Sequence, residues 1–143
     1  MQQMTEAQWR DFVLTGTRTG KLATNRKDGR PHVTPVWFLL DGEGRLVFNT
    51  GGSSLKYHAL RREPRFALCV DDQEPPFSFV MLECVVEEFA DDLELMREWA
   101  TRIGGRYMGA DRAAEFGERN AVPGEYLVRA RIERAVAYAE LAD

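Results

Sequence analysis

Residues 31–72, PHVTPVWFLLDGEGRLVFNTGGSSLKYHALRREPRFALCVDD, alternate between strand-forming runs and turn chemistry, and their reading decides the fold. Pro31–Leu40 predicts a largely buried strand, and Asp41-Gly42-Glu43-Gly44 predicts a tight turn. In Arg45–Thr50 that follows, Leu46 and Phe48 alternate with Val47 and Asn49, the period of a strand. Upstream, Asp28-Gly29 is a strong hairpin signal joining this region to a strand over Thr17–Thr24. Three strands joined by two tight turns predict an antiparallel meander. Gly51-Gly52-Ser53-Ser54 breaks the pattern, Leu55–Arg62 predicts a two-turn helix that Pro64 stops, and Arg65–Val70 predicts a return strand.

The flanks extend the same plan. Thr5 followed by Gln8 is a capping-box pattern that opens a short helix with Trp9, Phe12 and Val13 on one face, placed to cover one end of a barrel. Phe77–Phe89 predicts a long strand. Asp91 or Asp92 caps a helix with Leu93, Met96, Ala100 and Ile103 at helical spacing, which Gly104-Gly105 is expected to end. A weaker helix over Asp111–Arg119, a turn at Pro123-Gly124 and a final strand over Glu125–Tyr138 complete the chain. No repeat or linker divides it, so residues 1–143 read as one domain. The expected class is mainly β with peripheral helices (α+β): six to seven antiparallel strands in a small barrel, since closure removes exposed edges.

Composition narrows the function classes. A net charge of −4 gives no global electrostatic reason to bind nucleic acid or an anionic membrane. Cys69 and Cys84 lie in apolar strand-like runs and read as small buried hydrophobes, and no Cys/His cluster predicts a zinc site. No segment is long and apolar enough to span a bilayer, and MQQMTEAQWR lacks a signal-like run, so the expected location is cytoplasmic.

The candidate site begins at Asn49-Thr50-Gly51-Gly52-Ser53-Ser54-Leu55-Lys56. Backbone N–H groups at a helix start, freed by glycines and joined by serine hydroxyls, form an anion site, to which Lys56 adds a charge. A plain helix cap with a solvated Lys56 accounts for the same residues. The pattern lacks the GK[ST] of a nucleotide-binding P-loop. Arg61-Arg62-Glu63-Pro64-Arg65 either completes a phosphate pocket or serves the helix C-terminus. Pro35 within Thr34-Pro35-Val36-Trp37 marks an edge or bulge whose backbone suits the hydrogen bonds of a planar heterocycle, or an ordinary edge strand. Arg102, Arg106 and Tyr107 form either a rim for an extended anionic ligand or a solvated helix end. His32 and His58 have no nucleophile pattern beside them, so no triad is indicated.

In order and spacing, GRPHVTPVWF, SSLKYHALRREPRFALCVDD, GGRYMG and LVRARIERAVAY resemble the pyridoxamine 5′-phosphate oxidase-like superfamily, the FMN-binding split barrels, and within it the branch using the deazaflavin coenzyme F420. The resemblance covers nearly the whole chain. It implies that Ser54 and Lys56 grip the cofactor phosphate, that Thr34-Pro35-Val36 lines the ring, and that Asn49-Thr50 lies beneath it. It also implies a homodimer with the cofactor between subunits and a small-molecule substrate. The FMN oxidases of this superfamily usually carry arginines where this chain has Thr34 and Leu55, which favours F420 over FMN, with Arg61 or Arg106 as further anchors. The implied activity is hydride transfer from reduced F420 to a small organic acceptor. FMN-dependent catalysis and non-catalytic F420, flavin or haem binding are the alternatives. No catalytic residue is assigned; water and Tyr107 are the candidates for delivering the accompanying proton.

Overall fold

The structure is a computed structural model that describes residues 1–143. Its strands are β1 (Gln2–Gln3), β2 (Gly20–Asn25), β3 (Pro31–Val36), β4 (Leu39–Leu40), β5 (Leu46–Gly51), β6 (Arg65–Asp71), β7 (Phe79–Ala90) and β8 (Glu125–Ala139). The helices are α1 (Glu6–Leu14), α2 (Leu55–Arg62), α3 (Leu93–Met108) and α4 (Ala113–Asn120). All strands join one antiparallel sheet of order β3-β2-β6-β7-β8-β5-β4, with β1 added on β8. The sheet curls round its core without closing, giving a split barrel.

Local chemistry explains most element ends. The Thr5 hydroxyl accepts from Gln8 N while the Gln8 side chain accepts from Thr5 N, a complete capping box for α1. Ser54 caps α2 and Asp92 caps α3 through their side-chain oxygens. Alternation along β2, β6 and β7 turns Leu22, Leu68, Val70 and Leu82 inward, where Phe38, Phe48 and Trp9 of α1 join them in one core. No helix is long and apolar enough to cross a membrane.

Two expectations are corrected. Pro31–Leu40 is not one strand, and no three-stranded meander forms. Pro31–Val36 pairs only with β2 and Leu39–Leu40 only with β5, so β3 and β4 are the opposite ends of the sheet order. Trp37-Phe38 carries the chain from one end to the other, with Phe38 fully buried. An apolar run looks the same whether it stays beside one neighbour or changes neighbours. Gly104-Gly105 does not end α3, which continues to Met108 and stops at Gly109, where φ is +98°. The paired glycines are instead where α4 approaches: a Cβ on Gly104 would stand 2.5 Å from Phe116 Cβ.

Candidate cofactor site

Where β5 runs into α2, the hydroxyls of Thr50 and Ser54 lie 2.9 Å apart, and Ser54 Oγ accepts from Tyr57 N at 3.1 Å. Gly52 donates to Gly124 O at 2.7 Å, fixing the loop against the start of β8. A Cβ on Gly52 would meet that carbonyl at 3.0 Å, so this close approach calls for glycine. With Tyr57 N taken by the cap and His58 N bonded to Ser54 O, the amides of Leu55 and Lys56 remain for an outside acceptor. Lys56 is half-buried beside Glu125; burial pushes the Glu125 carboxyl up, and Lys56 opposes that shift.

A groove of about 810 Å³ opens next to this loop. Ser53 and three α2 residues one and two turns apart, Leu55, His58 and Arg62, line one wall; Arg26, Lys27 and Asp28 of the β2–β3 turn line the other. Asp28 is taken by Arg30 at 2.7 Å, and that hydrogen-bonded guanidinium holds its carboxyl below the usual range. Arg26, Lys27 and Arg62 make no ion pair, although carboxylates elsewhere hold most of the bases. Arg26 Nε is buried with no partner. In a chain of net charge −4, such a concentration of uncompensated cations marks a place for an anion.

The free edge of β3 supplies the second feature. Arg26 N donates to Arg30 O, and alternation from that bond directs His32, Thr34 and Val36 toward β2. Pro31, Val33 and Pro35 therefore face outward from the sheet. The prolines occupy positions where an N–H would have no strand partner, leaving Val33 N–H and three carbonyls at the edge.

The residues singled out from sequence separate into groups. Asn49, Thr50, Ser54 and Lys56 gather at the β5–α2 junction, and Thr34, Pro35 and Val36 lie on the edge strand. Trp37 turns its ring to the helices, stacked on Tyr107 at 5.1 Å and edge-on to Phe116. Arg61 points to the other side of α2, over the rings of Phe89 at 4.9 Å and Tyr57 at 5.8 Å. Arg106 commits its guanidinium to the carbonyls of Gly16, Phe38 and Val13 at 3.0, 2.8 and 2.7 Å, so it has no fork to offer a phosphate. Of the groove's bases, sequence reasoning named Arg62 within the Arg61–Arg65 run and His58 only as lacking a nucleophile beside it, and it passed over Arg26 and Lys27. Helical spacing from Leu55 identifies His58 and Arg62; no local signal brings the Arg26-Lys27 turn against α2.

The model of the pyridoxamine 5′-phosphate oxidase family matches residues 5–138. The chain belongs to that family. Among solved structures, a conserved hypothetical protein from Mycobacterium tuberculosis superposes with a TM-score of 0.82 at 28% identity, over 96% of this chain and 86% of that one. An F420 reductase superposes with a TM-score of 0.69 at 26% identity, over 87% of this chain and 94% of that one. A haem storage protein from Vibrio cholerae, 18% identical with a TM-score of 0.71 over 96% of this chain and 98% of that one, shares the fold. No curated protein matches the chain.

Proposed function

We propose that this family member is an oxidoreductase that uses coenzyme F420 to reduce a small organic acceptor. The observation that carries the proposal is the groove whose bases Arg26, Lys27 and Arg62 have no carboxylate partner, opening beside the uncapped amides of Leu55 and Lys56. Those groups fit a phosphate with an acidic extension. Leu55 stands on the groove wall as an apolar residue, and the family resemblance implies that it and Thr34 stand where the FMN enzymes usually carry arginine. Two charge-assisted contacts fewer, at about 1.5–3 kcal/mol each, disfavour FMN. The resemblance to an F420 reductase points the same way.

When bound, the reduced deazaflavin supplies the hydride. The chain supplies placement. Lys56 and the α2 amides would hold the phosphate, with Ser53 in place of Ser54, whose hydroxyl is taken by Thr50 and Tyr57 N. Arg26, Lys27 and Arg62 would hold the anionic extension, and the Val33–Pro35 edge would orient the ring. Tyr107 donates its hydroxyl proton to Arg18 O and accepts from Phe38 N, and burial pushes its pKa up, which leaves water to deliver the proton. The unpaired β3 edge and the half-buried outer residues Ala23, Ala67 and Met81 of the sheet suit cover by a second copy, giving a homodimer with the cofactor between subunits.

Titrating the purified protein with F420 and with FMN tests the reading. F420 is expected to bind at least about tenfold more tightly, a difference of ~1.4 kcal/mol. A tightly held flavin that co-purifies, with no measurable F420 affinity, would overturn it.

A further inference from the structure

Phe38 is fully buried at the crossing between the two ends of the sheet, where no strand accompanies it. The hydrogen bond from Asp41 N to Arg45 O sets the alternation along β4 and its approach, so the N–H and C=O of Phe38 turn away from β5. In a closed barrel a neighbouring strand would take both. Here two consecutive side chains of α3 take them. Phe38 N donates to Tyr107 Oη at 3.3 Å, and Arg106 Nη1 donates to Phe38 O at 2.8 Å.

The same two residues reach further. Arg106 donates to Gly16 O and Val13 O at the end of α1, and its guanidinium lies 4.8 Å from the Phe38 ring. Tyr107 donates to Arg18 O at 2.9 Å, and its ring stacks on Trp37 at an interplanar angle of 8°. Residues 13–18 and the 37–38 crossing are thereby tied to one turn of α3.

We propose that Arg106 and Tyr107 are positioning residues that replace the missing strand at the split and hold the Val36–Leu39 backbone, and with it the β3 edge, in the shape that receives a planar ring. The shape of the split itself stands on geometry alone; its consequence for the ring rests on the function proposed above. A leucine at either position would leave the buried Phe38 carbonyl or amide without its partner, a cost the fold has no other group to offset.

Amide hydrogen exchange on the free protein decides the first part. Tyr107→Phe keeps the stack on Trp37 and removes only the hydroxyl. It is expected to accelerate exchange at Val36–Leu39 by about tenfold while the β6–β7 ladder stays unchanged. Arg106→Lys, which keeps the charge but cannot span three carbonyls, is expected to loosen residues 13–18 as well. Unchanged exchange at Val36–Leu39, or a rise shared equally by the whole sheet, would overturn the proposal. For the ring, F420 titration of the Tyr107→Phe protein is expected to show altered absorbance of the bound ring and weaker binding, with the salt dependence of binding unchanged. Normal affinity and an unaltered spectrum would refute the link to the ring. If the wild-type protein binds no F420, the function proposed above fails, and the exchange result still decides the role of Arg106 and Tyr107.

Discussion

Replacing Gly104 by alanine places a methyl group where α3 and α4 touch. In an unobstructed helix the change stabilises by about 0.5–1 kcal/mol, because glycine loses more backbone freedom on folding. At Gly104 the new Cβ would stand 2.5 Å from Phe116 Cβ and 3.0 Å from its Cγ. Carbon pairs settle near ~3.5–4.0 Å, so the helices must part by about 1 Å. Phe116 cannot swing aside easily, since it is buried and packs against the Trp37 ring. Overpacking of this kind costs about 1–3 kcal/mol, which outweighs the helical gain. The expected net loss of about 1–2 kcal/mol corresponds to a Tm lower by about 3–8 °C. Gly105 is the internal control: its Cβ would meet Ala113 Cβ at 3.4 Å, an ordinary contact, so Gly105→Ala is expected to stabilise by about 0.5–1 kcal/mol. Thermal and urea unfolding of the two variants give the comparison. Stabilisation by both would mean that α4 does not pack at Gly104, and destabilisation by both would mean that the helix ends at this pair.

In F420 titrations, Arg62→Ala and Lys56→Ala are each expected to weaken binding by about 1.5–3 kcal/mol, roughly 10- to 150-fold, and to flatten its salt dependence. Arg61→Ala, on the aromatic side of α2, should change affinity little; an equal loss there would refute the assignment of helix faces. Asp41 accepts from Glu43 N, Arg45 N and Arg45 Nε at 2.9, 2.9 and 2.8 Å; burial raises its pKa, but these bonds outweigh burial and hold it below the ordinary value. Its ionised form therefore stabilises the fold fully above the unfolded pKa of ~3.9 and progressively less as pH falls through the folded pKa. Asp41→Asn is expected to cost about 1.5–3 kcal/mol at pH 7 in urea unfolding, with the gap to wild type closing below about pH 4. Light scattering at micromolar concentration should find a dimer; a monomer that binds F420 normally would sink the shared-site arrangement.

The local instructions in this chain were readable without a structure wherever they rest on neighbouring residues. Ser54 and Pro64 bound a helix that runs over Leu55–Arg62 as expected, and Thr5 with Gln8 starts α1 as a capping box. Caps, turns and prolines act through bonds that span only a few residues, so the sequence carries them whole. Alternation along Arg45–Thr50 likewise identified the strand found at Leu46–Gly51, because the side-chain period is a property of one strand alone. What the chain could not disclose by itself is choice of neighbour. The run PHVTPVWFLL does not say that its halves join opposite ends of a sheet. Gly104-Gly105 does not say whether it stops a helix or admits another. Arg61 and Arg62 differ in sequence by one place and in space by the 100° step of an α-helix, which sends one to an aromatic cluster and the other to the groove. Arg26 and Lys27 meet Arg62 only because α2 folds back over the β2–β3 turn. Local bonding determined the elements; burial of the shared core, which acts between residues far apart in the chain, decided which of them face each other and so where the unpaired charges gather.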